Sequence, residues 1–596
     1  MKIITSTDDL KKSPFDHVAL DFETEDIDTR GSLFADPEND GRRMVMFSIA
    51  FYNKRTLYSG AFRPDKFAEY WDLIKDKVLI FHNAKFDLQV LILLGVDIHT
   101  LKFEDTMVMS HLIDELRRKA LKELRVTVLR KPPRSKYRDI NTSDDDEFTE
   151  YARADAEDTI ELYKKFVSEI EEQQLENVYE LEKQVIFPTI EMEQTGIEID
   201  TDLLLYQQDR LMNIIDKLNN EITKIAGGIE VNINSQPHMN WFLFEHLGYD
   251  GNWITPGKSG FRPTNEGILS EIAKHKHTPS GKAAIIVLEL RTYRKLLSTY
   301  SNSILEKLEN GRIHSQFNPV GTVTGRFSSR AVNLQNIPAM PFGYVMNNGK
   351  AVLDEKNKPT YDKKTHIRSL FIASKGKSFI ISDYSQVELR VMGELSQDPI
   401  MCGAYREGAD IHQITADSLG ISRSDAKAVN FGIGYGLQST GLMAQINAGR
   451  KLGNYLTSQQ AQEYIDNFWV TYSNIAALFR ETDERMRKYN YVRTISGRKR
   501  RFYELRPSDF REAHNTIIQG SAADLMKLAM IHIYKHMDHT KARFVAQVHD
   551  EVLLEVDNDY IEEGLKIVQD NMERCMSFSV PIIAEPKVVT VWSDAK

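Results

Sequence analysis

The chain is 596 residues long, 41% hydrophobic and 27% charged, with a formal net charge of −10. That length accommodates three or four domain-sized units with a large core, and no apolar run approaches the roughly 20 residues of a membrane span. Two cysteines, Cys402 and Cys575, supply neither a disulfide framework nor a zinc site, so any metal must be held by oxygen ligands. The acidic balance excludes a surface that coats nucleic acid throughout but permits a basic cleft on an acidic body. MKIITSTDDLKKSP lacks a signal peptide's apolar core, and an intracellular protein is expected.

In chain order, Val18, Ala19 and Leu20 lead into Asp21 and Glu23, two residues apart and so on one face of a strand. FHNAKFDLQVLILL places Asn83 and Asp87 at the start of a helix-like run. YARADAEDTIELYKKF puts Tyr151 and Asp155 four residues apart on one helix face. Four carboxylates and a phenol in this pattern suit phosphodiester hydrolysis: the carboxylates hold two ions and the tyrosine orients the attacking water. Arg117 to Arg138 is densely basic, and Asp144 to Glu147 reads as a solvated acidic loop. Gly196 ends a helix before a short strand. Residues 201 to 227 and 282 to 308 read as long amphipathic helices, and Ser235 caps a helix with Pro237 in its first turn.

The strongest local signal is SFIISDYSQVELR: a buried strand, Phe379 to Ile381, that stops at Asp383. A second apolar stretch, FVAQVHDEVLLEV, is interrupted by His549, Asp550 and Glu551. If the two share a sheet, Asp383 and Asp550 meet, the minimum for two-metal phosphoryl transfer. Arg423, Lys427, Phe431 and Tyr435 recur every four residues, one drifting helix face with phosphate-binding cations at its start and base-stacking rings further along. Lys427 could also protonate a leaving pyrophosphate. RMRKYNYVRTISGRKRR, residues 485 to 501, interleaves cations with Tyr489 and Tyr491 and reads as a nucleic-acid contact.

DYSQVELR, the Arg423 to Gly436 set and QVHDE occur in the order of the three polymerase motifs of family A DNA polymerases, and the resemblance runs from Asp21 to Trp592. It implies a multidomain α/β and α+β chain: a ribonuclease H-like 3′ to 5′ exonuclease, then a right-hand polymerase of palm, fingers and thumb. The layout expected is exonuclease 1–175, palm 176–204, 309–390 and 506–596, thumb 205–308 and fingers 391–505. By resemblance Asp21, Glu23, Asp87 and Asp155 are metal ligands and Tyr151 positions the water. Asp383 and Asp550, with Tyr384, hold two Mg2+ ions that activate the primer 3′-hydroxyl and neutralise the triphosphate; Mn2+ can substitute at either site. Glu388 resembles the steric-gate residue that crowds the ribose 2′ position, with Gln386 beside it. His412 resembles a triphosphate ligand. Arg326, in GTVTGRFSSR, donates to the minor groove; Arg511, Asn515 and Gln519 resemble template and primer contacts; His549 touches the primer end and Glu551 is a supporting acid. Phe431, lacking a hydroxyl, implies discrimination against dideoxynucleotides.

The partners implied are primer-template DNA and dNTPs, with no membrane and no thioredoxin-type processivity factor, for a monomer in the cytoplasm, the host's if the chain is phage-encoded. The nuclease motif starts about 20 residues in, so a preceding 5′ nuclease domain is not expected. Three departures stand out. Met340 occupies the place of an arginine after NLQNIP, about 18 extra residues near 343–363 read as a surface hairpin, and Gly393-Glu394 replaces Ala-His with a local packing change expected. A single-subunit RNA polymerase is disfavoured by Glu388 and the nuclease set. A DNA-end-binding scaffold that retains only the exonuclease would need a lost carboxylate, and none is lost.

Overall fold

The computed structural model describes residues 1–24, 44–134, 145–344, 346–347, 350–352, 359–434, 436–448, 450 and 455–595. The chain forms two compact units, Met1–Gly196 with His314–Arg330 and Gly376–Val588, and Ile197–Ile313 with Ala331–Lys375 and Val589–Lys596.

The first unit begins with a six-stranded mixed sheet in the order Lys2–Ile3, Thr56–Phe62, Met44–Asn53, His17–Thr24, Val78–Phe81, Lys102–Asp105. Its period-2 alternation decides what each face carries. Val18, Leu20 and Phe22 enter one core with Phe47, Phe51 and Phe81. Ala19, Asp21 and Glu23 take the opposite face, where Ala19 packs with Ala156 and Ile160 of the 28-residue helix Asp145–Glu172. Asp145 to Glu147 therefore open that helix and do not form a loop.

A second, four-stranded sheet follows the order Ala542–Val548, Glu551–Asp557, Lys377–Tyr384, Ala584–Val589. The apolar stretch around Asp550 is thus a hairpin, turned at His549, whose φ of 57° is left-handed. Strand Glu551–Asp557 runs antiparallel to Lys377–Tyr384 with Asp383 opposite Glu551. Phe379, Ile380, Leu553 and Leu554 are fully buried between these strands, each contributing about 1.5–3 kcal/mol. That core holds the acidic strand ends rigidly. Between the strands lies a helical region with its own core around Phe468, Tyr472, Ile475 and Met486. Helix Pro507–Asn515 continues through a π-helical turn, Thr516–Gly520, into helix Ser521–His536.

The second unit is built on helix Thr201–Ile225 and on Pro279–Lys295, which extends through a π-helical segment to Glu306. Ile215, Leu218 and Ile222 pack against Val287 and Leu290. Ser235 accepts from His238 N at 3.4 Å, with Pro237 in the first turn as the sequence indicates. In the extra segment, strands Met346–Asn347 and Lys350–Ala351 pair antiparallel, and the rings of Tyr344 and Tyr361 stack at 4.9 Å. Asp362 anchors this hairpin to Arg210 at 2.5 Å. Residues 345, 348–349 and 353–358 of it lie outside the described residues, and Met340 is exposed.

Candidate active sites

Asp21, Glu23 and Asp155 bring carboxylate oxygens within 4.8 Å of one another. Asp87 adjoins them from helix Ala84–Leu93, 2% exposed, with its Oδ1 buried and without a hydrogen-bond partner among the described residues. A buried carboxylate oxygen left unpaired beside three more is costly unless a cation completes it. The donor set therefore fits hard divalent ions. Burial, and then the charges of Glu23 and Asp155, push the Asp21 carboxyl well up, and burial pushes Glu23 up to about 8. Asp155 is likewise raised by burial, with Arg134 and Lys122 pulling it back. Tyr151 Oη accepts from Lys122 Nζ at 2.5 Å, which leaves the phenolic hydrogen to be donated elsewhere.

Two features of this site have no clear mark in the sequence. Asp105, buried at the end of its strand, accepts from the N–H groups of Asn83 (3.1 Å) and Ala84 (2.8 Å) and so caps the helix that carries Asp87. Asn83 itself sits at φ 75°. In the basic stretch Arg117 to Arg138, Arg118 is exposed while Arg125, Lys131 and Arg134 converge on the buried Asp158; residues 135–138 lie outside the described residues. The spacing of Asp158, three residues past Asp155, was the available signal.

At the second cluster, Tyr384 N donates to Asp550 O at 3.2 Å, which locks the two strand ends together. Burial of the carboxyl and the charge of Asp383 raise Asp550 above the ordinary range. Glu551 is buried beneath them. The Tyr384 phenol turns away, buried, and donates to Met572 O at 2.9 Å, so only its main chain is available to this cluster. Gln386 takes a left-handed φ of 54° and its Oε1 accepts from Tyr405 at 3.0 Å. Glu388 is paired with Arg326. Burial raises the Glu388 carboxyl, Arg326 lowers it and Asp550 raises it, which places all three in one electrostatic neighbourhood.

Arg423, Lys427 and Phe431 share helix Arg423–Gly434; the first two are exposed, and Arg423 pairs with Asp410 at 2.6 Å. His412 is buried, its Nδ1 2.9 Å from Asn430 Nδ2 and its ring 5.6 Å from Phe431, so burial lowers its pKa. Tyr435 lies outside the described residues. Gly436 sits at φ 67°, and a Cβ there would fall 2.9 Å from Arg511 Cγ, so glycine lets Arg511 lie against the end of this segment. Arg511 is exposed; Asn515 and Gln519 are half-buried, and Gln519 lies in the π-helical turn. His549 is exposed at the hairpin tip. Glu394 accepts from the N–H of Ser579 (2.7 Å) and of Val580 (3.2 Å).

Within the basic run 485–501, Arg485, Arg487, Lys488 and Tyr489 are exposed, whereas the cations from Arg493 onward have protein partners. Arg498 is buried against Glu182 and Asp524, and Arg500 and Arg501 pair with Glu115. Arg493 donates to the carbonyls of Gln173 (2.9 Å) and Gln174 (3.1 Å). These cations join segments of the first unit and are not an open nucleic-acid face.

The fold and these clusters define a mixed-sheet exonuclease-type domain followed by a polymerase-type palm. The family model described as 3′-5′ exonuclease matches residues 5–171, and that described as DNA polymerase family A matches residues 201–594. The chain belongs to DNA polymerase family A. DNA polymerase I of Caldicellulosiruptor bescii is 33% identical over 440 residues, 70% of this chain and 47% of the relative. That of Chloroflexus aurantiacus is 32% identical over 548 residues, 86% and 54%. The chain thus spans about half the length of the curated relatives it matches. A solved POL domain of Pol1 from M. smegmatis, in complex with DNA primer-template and dNTP, shares the fold with a TM-score of 0.79 at 22% identity, covering 97% of this chain and 95% of that one. Among the described residues no helix is long and apolar enough to cross a membrane.

Proposed function

We propose that the chain is a template-directed DNA polymerase that extends a primer 3′ end with deoxynucleotides and proofreads with a 3′ to 5′ exonuclease. The observation that carries the reading is that Asp383 lies opposite Glu551 in the sheet, with Asp550 next to it in the hairpin turn and within its electrostatic reach, near Arg326 and Glu388, in a chain whose first sheet bears a separate carboxylate cluster.

In this reading Asp383 and Asp550 hold Mg2+, which supplies the charge that activates the primer hydroxyl and neutralises the leaving pyrophosphate. Arg423, Lys427 and His412 bind the triphosphate, and Lys427 can release a proton to pyrophosphate. Phe431 and Tyr435 stack near the base, Glu388 closes the space a ribose 2′-hydroxyl would need, and Gln386 lines the same pocket. Arg326 reads the minor groove of the nascent pair, while Arg511, Asn515, Gln519 and His549 contact template and primer. In the exonuclease, Asp21, Glu23, Asp87 and Asp155 hold divalent ions and Tyr151 orients the water. The domain assignment is exonuclease 1–175, thumb 205–308 and fingers 391–505, with palm in the remaining segments. A cytoplasmic monomer needing no thioredoxin-type factor fits this reading.

The test is a 5′-labelled primer on a longer template with magnesium, with and without dNTPs, for the unmutated chain, Asp383→Ala and Asp21→Ala. Extension lost only in the first variant and 3′ degradation lost only in the second is expected. Absence of extension from the unmutated chain across salt and metal conditions, with or without 3′ degradation, overturns the reading in favour of a DNA-end-binding scaffold.

A further inference from the structure

Asp158 has a fully buried side chain, yet it carries three cations. Arg125 Nη1 donates to its two oxygens at 2.9 and 2.8 Å, Lys131 Nζ at 3.0 Å and Arg134 Nη2 at 2.5 Å. Arg134 does more than neutralise it. The same Nη2 donates to Asp155 Oδ1 at 2.7 Å and to Ala154 O at 3.1 Å, while Nη1 donates to Tyr151 O at 3.3 Å. One guanidinium thus spans the helix turn that carries both Tyr151 and Asp155, and Asp158 fixes it in place. One oxygen of Asp155 is bound to Arg134, and the residue still brings a carboxylate oxygen within 4.8 Å of those of Asp21 and Glu23.

We propose that Asp158 and Arg134 are a positioning pair for the exonuclease metal site: Asp158 anchors Arg134, and Arg134 fixes the carboxylate plane of Asp155 so that it faces the ions held with Asp21 and Glu23. The inference rests on the exonuclease reading above. Partners that orient a ligand from behind set metal affinity about as strongly as a weak ligand does, so their loss weakens binding by roughly 10- to 100-fold. A guanidinium that merely occupied the ion's place would do the reverse, since its removal would tighten binding.

The experiment is Mn2+ binding to the full chain, followed by electron paramagnetic resonance and calorimetry, in an Asp383→Ala, Asp550→Ala background that removes the polymerase ions. Arg134→Gln and Asp158→Asn are each expected to raise the Mn2+ Kd about tenfold or more. The double variant is expected to be no worse than the singles, because the two residues act as one unit. Arg134→Lys, which keeps one bond, recovers part of the affinity. Lys131→Gln, which touches Asp158 and not Asp155, leaves it unchanged. Unchanged or tighter Mn2+ binding in Arg134→Gln overturns the proposal, as does additivity in the double variant. Thermal melting separates these results from misfolding. Should Arg134→Gln unfold, Arg134→Lys tests the same contact, and Mn2+ binding as tight as in the unmutated chain or tighter overturns the proposal there too. Asp21→Ala in the same background tests the underlying reading by itself: if it leaves Mn2+ binding intact, the exonuclease site falls and the positioning pair with it.

Discussion

Arg326 and Glu388 form an ion pair, with Arg326 Nη2 against Glu388 Oε1, and the carboxylate is the more buried partner. The residue proposed to bound the sugar pocket is therefore charge-matched by the residue proposed to read the base pair. On the proposed reading, Arg326 exchanges this carboxylate for minor-groove acceptors when DNA binds. Bulk and charge at Glu388 are then separable. Glu388→Ala removes both and is expected to raise the ribonucleotide share of incorporation by roughly 100-fold or more, whereas Glu388→Gln keeps the bulk and most of the selectivity. Single-nucleotide incorporation with paired rNTP and dNTP checks this; equal loss in both variants would show that charge, not size, excludes the 2′-hydroxyl.

Phe431 projects from helix Arg423–Gly434 with its ring 5.6 Å from that of His412. Adding a hydroxyl changes little volume there and, on the proposed reading, supplies a polar group in place of a missing nucleotide 3′-hydroxyl. Phe431→Tyr is expected to lower the preference for dNTP over ddNTP by on the order of 100-fold, with polymerisation of ordinary dNTPs nearly unchanged. Termination ladders at fixed ddNTP to dNTP ratios measure it, and an unaltered ratio would remove Phe431 from the sugar pocket.

The two acidic clusters were legible because strand alternation and helix spacing are local rules: Asp21 and Glu23 had to share a face, as did Tyr151 and Asp155. Asp383 and Asp550 required one further assumption, a shared sheet, which the antiparallel register supplies. What the sequence could not reveal were charges whose partners lie hundreds of residues away. Arg498 and Glu182 are 316 residues apart, and Arg501 and Glu115 are 386 apart. A dense run of cations looks alike whether it meets phosphates or buried carboxylates. Asp105 was illegible for the same reason, since capping a helix 21 residues upstream leaves no local pattern.

Arg498 illustrates the consequence for stability. Its guanidinium is 2% exposed and bonds Glu182 and Asp524, both fully buried, while Lys527 shares Glu182. Removing it leaves two buried carboxylates with a single cation. Arg498→Met is expected to cost about 3–5 kcal/mol, several times the cost of a surface arginine. Denaturant titration of the two variants Arg498→Met and Arg330→Met, the latter on an exposed residue, gives the comparison. Loss of less than about 1 kcal/mol would show that the cluster reorganises or admits water.

The exonuclease carboxylates also predict proton release. With Glu23 pushed up to about 8 from an ordinary value near 4.5, the metal-free folded chain holds at pH 7 a proton that the unfolded chain does not. Stability of the metal-free protein therefore falls as pH rises between about 4.5 and 8 through this group. Metal binding reverses the penalty and expels the proton. Calorimetric Mn2+ titration at pH 7 of the Asp383→Ala, Asp550→Ala background, in two buffers of different ionisation enthalpy, should show release of about one proton or more per chain, shrinking toward zero by about pH 9 and abolished when Asp21→Ala is added. No buffer dependence at pH 7 would mean that Glu23 is already ionised.

His539 gives a pH dependence of the same sign from a different cause, a gained partner in place of burial. Its Nδ1 lies 2.7 Å from Glu191 Oε1, and that hydrogen bond raises the imidazole above its ordinary 6.5. Glu191 is buried and its other oxygen accepts from Phe544 N at 2.9 Å, so the pair ties a helix to the first strand of the Asp550 hairpin. A raised histidine contributes stability that is complete below its unfolded pKa and disappears as pH climbs through the folded value. His539 is about a third exposed, so the contribution is no more than about 1 kcal/mol after solvent screening. The difference in melting temperature between the unmutated chain and His539→Gln should be largest near pH 6 and vanish by about pH 9. A difference independent of pH would assign His539 a packing role alone, with Glu191 held by Phe544 and not by charge.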